Sequence, residues 1–151
     1  MEIYLDPQET YRPPPVILEV PFLKFSPLQN AVAKLKASSE GYQEALETLG
    51  ASPVRMSMET RDTLNQILLG TERAFLRTEG LPGHPWFRHQ LYAPGRYTGY
   101  DVKTIPGVRE AIEQHHWEEA NSEIELVAKT IEGLSTLIDH ATAILSKEQA
   151  H

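Results

Sequence analysis

There is no cysteine in this chain of 151 residues. That absence excludes disulfides, thiolate nucleophiles and every metal site built on sulfur, while leaving the compartment open. Basic residues are also in short supply. Fourteen Lys and Arg stand against 21 Asp and Glu, for a net charge of −7. Nucleic acid and anionic membrane surfaces both call for a basic face, so neither is expected as a partner. Long apolar runs are missing too. No stretch approaches the ~20 residues needed to cross a bilayer. Met1-Glu-Ile-Tyr-Leu-Asp-Pro7 has neither the basic nor the apolar region of a signal peptide. There is no internal repeat and no low-complexity tract. With 40% apolar and 23% charged residues the chain suits one core and not two. The expectation is a small, acidic, soluble domain of undetermined localisation.

Proline sets the organisation. Pro7, Pro13, Pro14, Pro15 and Pro21 forbid a helix through the first 25 residues, which read as an extended arm with a possible edge strand at Val16–Val20. Ser26-Pro27 then offers an N-cap and a first helical position. Leu28, Val32, Leu35, Tyr42, Leu46 and Leu49 step by threes and fours, with Ser39 in the one polar slot, predicting a helix over 27–49 that Gly50 stops. A second helix is predicted over 58–77, capped by Ser57, with Leu64, Ile67, Leu68, Thr71, Phe75 and Leu76 inward and Gly80 closing it. Residues 80–107 are rich in Gly and Pro and carry Trp86, Phe87, Tyr92, Tyr97 and Tyr100, which predicts a long ordered loop with a role of its own. A short helix follows from Val108 to about His115. The last helix runs from about Trp117 to Lys147. Its seam of Trp117, Ala120, Ile124, Val127, Ile131, Leu134, Ile138, Ala141 and Leu145 is flanked by a second stripe of Leu126, Leu137 and Ile144. A rod with two apolar stripes has more surface than one neighbour covers, so a partner is expected.

Catalytic chemistry is hard to find. His115 and His116 are adjacent, and on a helix would point about 100° apart, too far to share an ion. His84 and His89 fall in the loop, and His140 on a mostly polar position. The two-His metalloprotease spacing, a nucleophile elbow and a phosphate-binding glycine loop are all absent. Glu118, Glu119, Glu123 and Glu125 read as helix-dipole complements on a solvated face. No catalytic residue and no metal ligand is assigned. In the loop, Arg73, Arg88 and Arg96 with Tyr92, Tyr97 and Tyr100 suit a carboxylate ligand. The plainer alternative is that the aromatic residues pin the loop and the arginines pair with local acids.

The loop also carries a resemblance. Thr71-Glu-Arg-Ala-Phe-Leu-Arg-Thr-Glu-Gly-Leu-Pro-Gly-His-Pro-Trp-Phe-Arg-His-Gln-Leu-Tyr-Ala-Pro-Gly95, followed by Ile105-Pro-Gly-Val108 and preceded by Val20-Pro-Phe-Leu-Lys-Phe-Ser26, resembles the C-terminal domain of the glutamate carboxypeptidase and transferrin receptor family. The likeness covers about residues 18–147. It implies an all-α, four-helix bundle-like dimerisation domain, with the loop and the extended arm as appendages. Residues 1–17 stay an unassigned arm, and 18–151 form the domain. It further implies a homodimer that packs against a zinc peptidase domain of its own or the partner chain. The dinuclear zinc ligands and the general base belong to that separate domain, so this chain is expected to be non-catalytic and to hold no cofactor. A Lys-Tyr pair of the family's loop contacts a substrate glutamate, and Gly99-Tyr100 stands at that place. Tyr100 is thus the one substrate-binding candidate, and the missing Lys puts a preference for glutamate in question. Ile124, Val127, Ile131, Leu134 and Ile138 are the candidate dimer or packing seam. The competing reading is a stand-alone module that binds a small carboxylate or peptide through the Arg/Tyr loop.

Overall fold

A computed structural model describes residues 19–52, 55–95 and 101–149. Helix α1 (Ser26–Ala51) is followed by α2 (Met58–Thr71), which tightens into a 3-10 turn at Glu72–Phe75. Two short strands, β1 (Tyr92–Pro94) and β2 (Val102–Thr104), precede α3 (Pro106–Glu113) and the long α4 (Trp117–Gln149). The mostly helical fold agrees with expectation; the hairpin inside the long loop is an addition. The expected arm at 1–17 lies outside the described residues, as does most of Val16–Val20.

Helix α4 is the spine. Its 33 residues extend about 50 Å at about 1.5 Å per residue. Ala120, Ile124, Val127, Ala128, Ile131, Leu134, Ala141 and Leu145 are all buried along it. Helix α1 is its main companion, and α2 and α3 lean on its two ends. The core divides in two. Ala31, Val108, Ile124, Val127, Ala128 and Ile131 pack together near the start of α4, joined by Leu23, Phe25, Leu35 and Ile105. Ala45, Leu49, Leu64, Ala141 and Leu145 form the other near its end, with Tyr42, Met56 and Ile67.

The face that α1 turns inward overlaps the expected stripe without coinciding with it: Leu49 is buried and Leu28, Leu35 and Tyr42 pack against the core as expected. Ala31, Ser38, Ala45 and Leu49 are buried, whereas Val32 and Leu46 are exposed. Small residues at seven-residue intervals let the α1 backbone approach α4 closely, and this contact turns Val32 and Leu46 outward. The start of α1 differs as well. Ser26 is already helical, the chain enters through Phe25, and no side chain caps the end. The Phe25 carbonyl accepts from the Gln29 N–H at 3.0 Å instead. Gly50 does not stop α1, which runs on to Ala51. Ser57 does cap α2, its hydroxyl accepting from the Thr60 N–H at 3.1 Å. Glu148, from the far end of α4, supports the same terminus by accepting from the Thr60 hydroxyl at 2.8 Å and from the Ser57 N–H. A carboxylate there complements the helix dipole. Gly80 does not close α2, which ends nine residues earlier; it sits at φ +70° in a turn where a side chain would strike the Pro85 backbone.

Candidate functional site

The long loop is built by backbone pairing at its base. Leu76 and His89 form an antiparallel bridge. The Arg77 N–H donates to the Arg88 carbonyl at 2.9 Å, and the Gln90 N–H to the Phe75 carbonyl at 2.9 Å. Further out, the Leu81 N–H donates to Phe87 and the His84 N–H to Leu81, each at 2.9 Å. The tip is aromatic: the His84 ring stacks on Phe87 at 5.5 Å and meets Trp86 edge-on at 5.1 Å. Strands β1 and β2 then pair antiparallel, Ala93 opposite Lys103. The Ile105 N–H returns to the Leu91 carbonyl at 2.8 Å, with Ile105 in the left-handed region (φ 42°, ψ 56°) as the chain enters α3. A β-branched residue there is strained, by on the order of 1–3 kcal/mol.

Two polar side-chain clusters sit at the base of this loop. Lys103, 9% exposed at its side chain, pairs with Glu113 and, at 3.6 Å, with Glu110. Arg109 donates to the same Glu113 at 3.0 Å. Hydrogen bonds from Lys103 and then Arg109 hold the Glu113 carboxyl below the usual carboxylate range. The second cluster is Arg77 with Glu123, Nη1 to Oε1 at 3.1 Å, where the Glu123 side chain is only 4% exposed. This overturns the reading of Glu123 as part of a solvated acidic face; Glu118 and Glu125 are exposed and Glu119 is half-buried. Burial pushes the Glu123 carboxyl above the usual range, against the opposing hydrogen bond and charge of Arg77, and Glu119 adds to the push. A signal for its burial was present: position 123 is three residues after Ala120 and four before Val127, on the inward stripe.

The expected site residues are dispersed. Tyr100 lies outside the described residues, with Arg96 and Tyr97. Tyr92 and Arg73 are exposed, and Arg88 donates to the Thr78 carbonyl at 3.3 Å. His115 and His116 occupy the turn between α3 and α4, not a helix, and His115 has φ 59°. Among the described residues no three His, Asp or Glu side chains converge as metal ligands. Of the seam, Ile124, Val127, Ile131 and Leu134 are buried within this one chain, while Ile138 is half-buried.

Ile138 opens onto a cleft. Between the two core clusters, Tyr42 of α1, Ile67 and Leu68 of α2, Phe75 of the 3-10 turn, and Leu137 and Ile138 of α4 bound an apolar cleft of about 350 Å³. Beside it α2 is poorly covered. Leu64 is its single buried residue, and Leu68 and Leu69 are exposed.

Residues 23–139 match the transferrin receptor-like dimerisation domain. The chain belongs to that family. The matched range takes in α1, α2, the whole loop, α3 and most of α4. Among curated proteins the dimerisation domain is 32% identical over 101 residues to a probable glutamate carboxypeptidase, LAMP1, of Arabidopsis thaliana, covering 67% of this chain and 15% of that protein. It is 32% identical over 114 residues to a probable glutamate carboxypeptidase of Arthroderma benhamiae, covering 76% and 14%. It is 26% identical over 137 residues to the rat aminopeptidase NAALADL1, covering 83% and 17%. This dimerisation domain therefore spans a small fraction of the length of the relatives it matches. No helix among the described residues is long and apolar enough to cross a membrane.

Proposed function

We propose that this chain is a non-catalytic domain that pairs with a second copy of itself and serves a glutamate carboxypeptidase-like zinc peptidase. The observation that carries this reading is the family match over 23–139, which includes every residue lining the apolar cleft but Ala141. The cleft and the bare flank of α2 supply what an interface core needs, apolar surface that water covers poorly. Zinc belongs, on this reading, to a peptidase domain distinct from this one. The 80–107 loop, with Tyr100, lies against that domain and helps to shape its substrate pocket; a Tyr hydroxyl there donates to a substrate carboxylate. Sedimentation equilibrium tests the pairing. The unaltered chain is expected to dimerise at concentrations on the order of tens of micromolar. Leu68→Glu with Ile138→Glu is expected to give a folded monomer, since neither side chain is fully buried in the single chain. A chain that is monomeric throughout, or a dimer indifferent to both changes, overturns the proposal. Calorimetry with acidic dipeptides separates it from the stand-alone binding module, which requires heat of binding that Tyr100→Phe diminishes.

A further inference from the structure

Both ends of the long loop meet at one carboxylate. Glu123, on the second turn of α4, takes Arg77 on Oε1 at 3.1 Å, at the point where the chain leaves the 3-10 turn. Its Oε2 is buried without a hydrogen-bond partner. That oxygen lies so close to Gly107, at the start of α3, that any Cβ there would overlap it. Arg77 and Gly107 bracket the aromatic tip and the hairpin between them.

We propose that Glu123 is a proton-operated clamp on the loop base at Arg77 and Gly107: uncharged, it lets that base close on α4; charged, it loosens the closure. A buried carboxylate with one oxygen unpaired is costly unless water reaches it. Arg77 offsets only part of that cost, being drawn outward as well by the exposed Glu79 at 3.4 Å. Glu119, one turn back on α4, repels the same charge and is itself 3.4 Å from His116. The charged side chains of α3 that face the loop, Arg109, Glu110 and Glu113, belong to the Lys103 cluster. A proton on Glu123 removes the cost where it arises. The sign follows from linkage. An opened base wets Glu123 and returns its carboxyl to the ordinary range, so the closed form holds the proton more tightly. Closure is therefore favoured as pH falls and lost as pH rises through the midpoint of the closed form.

Amide hydrogen exchange on the whole chain tests this, whether it is monomer or dimer, so the outcome is independent of the pairing proposed above. Protection factors at Arg77, Gln90 and Ile105, whose amides close the loop base, are read from about pH 4, near the ordinary Glu midpoint, to about pH 8 and corrected for intrinsic exchange. They are expected to fall with rising pH, by up to about tenfold per pH unit between the open and closed midpoints. The buried Ala128 of α4 is expected to stay level. Glu123→Gln should keep acid-level protection at every pH. Carbon-13 titration of the unaltered chain should place the Glu123 midpoint above the ordinary range of a glutamate in water. Level protection at the three amides, the same slope in Glu123→Gln, or a Glu123 midpoint within or below the ordinary glutamate range overturns the clamp.

Discussion

Two glutamates on neighbouring helices answer to opposite forces. Glu113 is half-exposed and gathers Lys103 and Arg109, whose hydrogen bonds favour its charged form. Glu123 is buried with one partner, and desolvation outweighs that partner. By linkage the two tilt stability in opposite directions. The depressed carboxyl of Glu113 contributes stability that is present at neutral pH and lost as pH falls through its folded midpoint. Glu113→Gln is expected to lower the melting temperature at neutral pH, for a loss of under about 1 kcal/mol because the group is well solvated. That difference should shrink as pH falls through the folded midpoint of Glu113, where the parent carboxyl takes up its own proton; thermal melts across an acid series check it. Neither role was legible from residue type. A Glu among three others near a helix start reads as a dipole complement, and only its phase against Ala120 and Val127 separates Glu123 from Glu125. Lys103 carries no such signal, because its burial depends on a strand pairing too short to foresee.

Helix positions were legible where apolar periodicity is strong, and the inward face of α1 only in part: Leu28, Leu35, Tyr42 and Leu49 do pack inward. Reading large apolar residues favours Val32 and Leu46, but α1 and α4 come together on small ones. Ser38 on α1 is buried, and so is Ser135 on α4, whose hydroxyl returns to the Ile131 carbonyl at 3.0 Å. Close packing rewards small side chains at a helix contact, and periodicity weighted by hydrophobicity misses them. Ser38→Leu is therefore expected to destabilise the fold by about 1–3 kcal/mol through overpacking, although it raises hydrophobicity. Val32→Leu, one and a half turns away on the exposed side, should change stability by less than about 0.5 kcal/mol. Urea unfolding of the two variants decides between burial by size and burial by hydrophobicity. The hairpin escaped for a related reason. Its strands are three residues each, and β1 ends on Pro94, which argues against a strand when read alone. They are held by their register and by Lys103, not by propensity.

At the scale of the molecule, the sequence motif from Thr71 to Gly95 was sufficient to point to the family, because so many fixed turn and aromatic positions seldom coincide. It did not reveal where the surplus apolar surface would lie. The long seam of α4 is largely consumed inside the chain, four of its five named residues being buried. The uncovered surface is instead the cleft where the two core clusters part, together with the flank of α2. This bears on how pairing should respond to salt. Each copy carries a net charge of −7, so two copies repel one another at long range. The cleft walls are dominated by Tyr42, Ile67, Leu68, Phe75, Leu137 and Ile138, none of them charged. At about 0.1 M salt the screening length is already about 10 Å, and more salt weakens repulsion without weakening apolar contact. Association through the cleft is therefore expected to hold or tighten as sodium chloride rises from about 0.05 M to about 0.5 M. Association through exposed ion pairs would loosen over the same range. Sedimentation equilibrium across that series decides between the two, and a dissociation constant that rises several-fold with salt would move the interface away from the cleft.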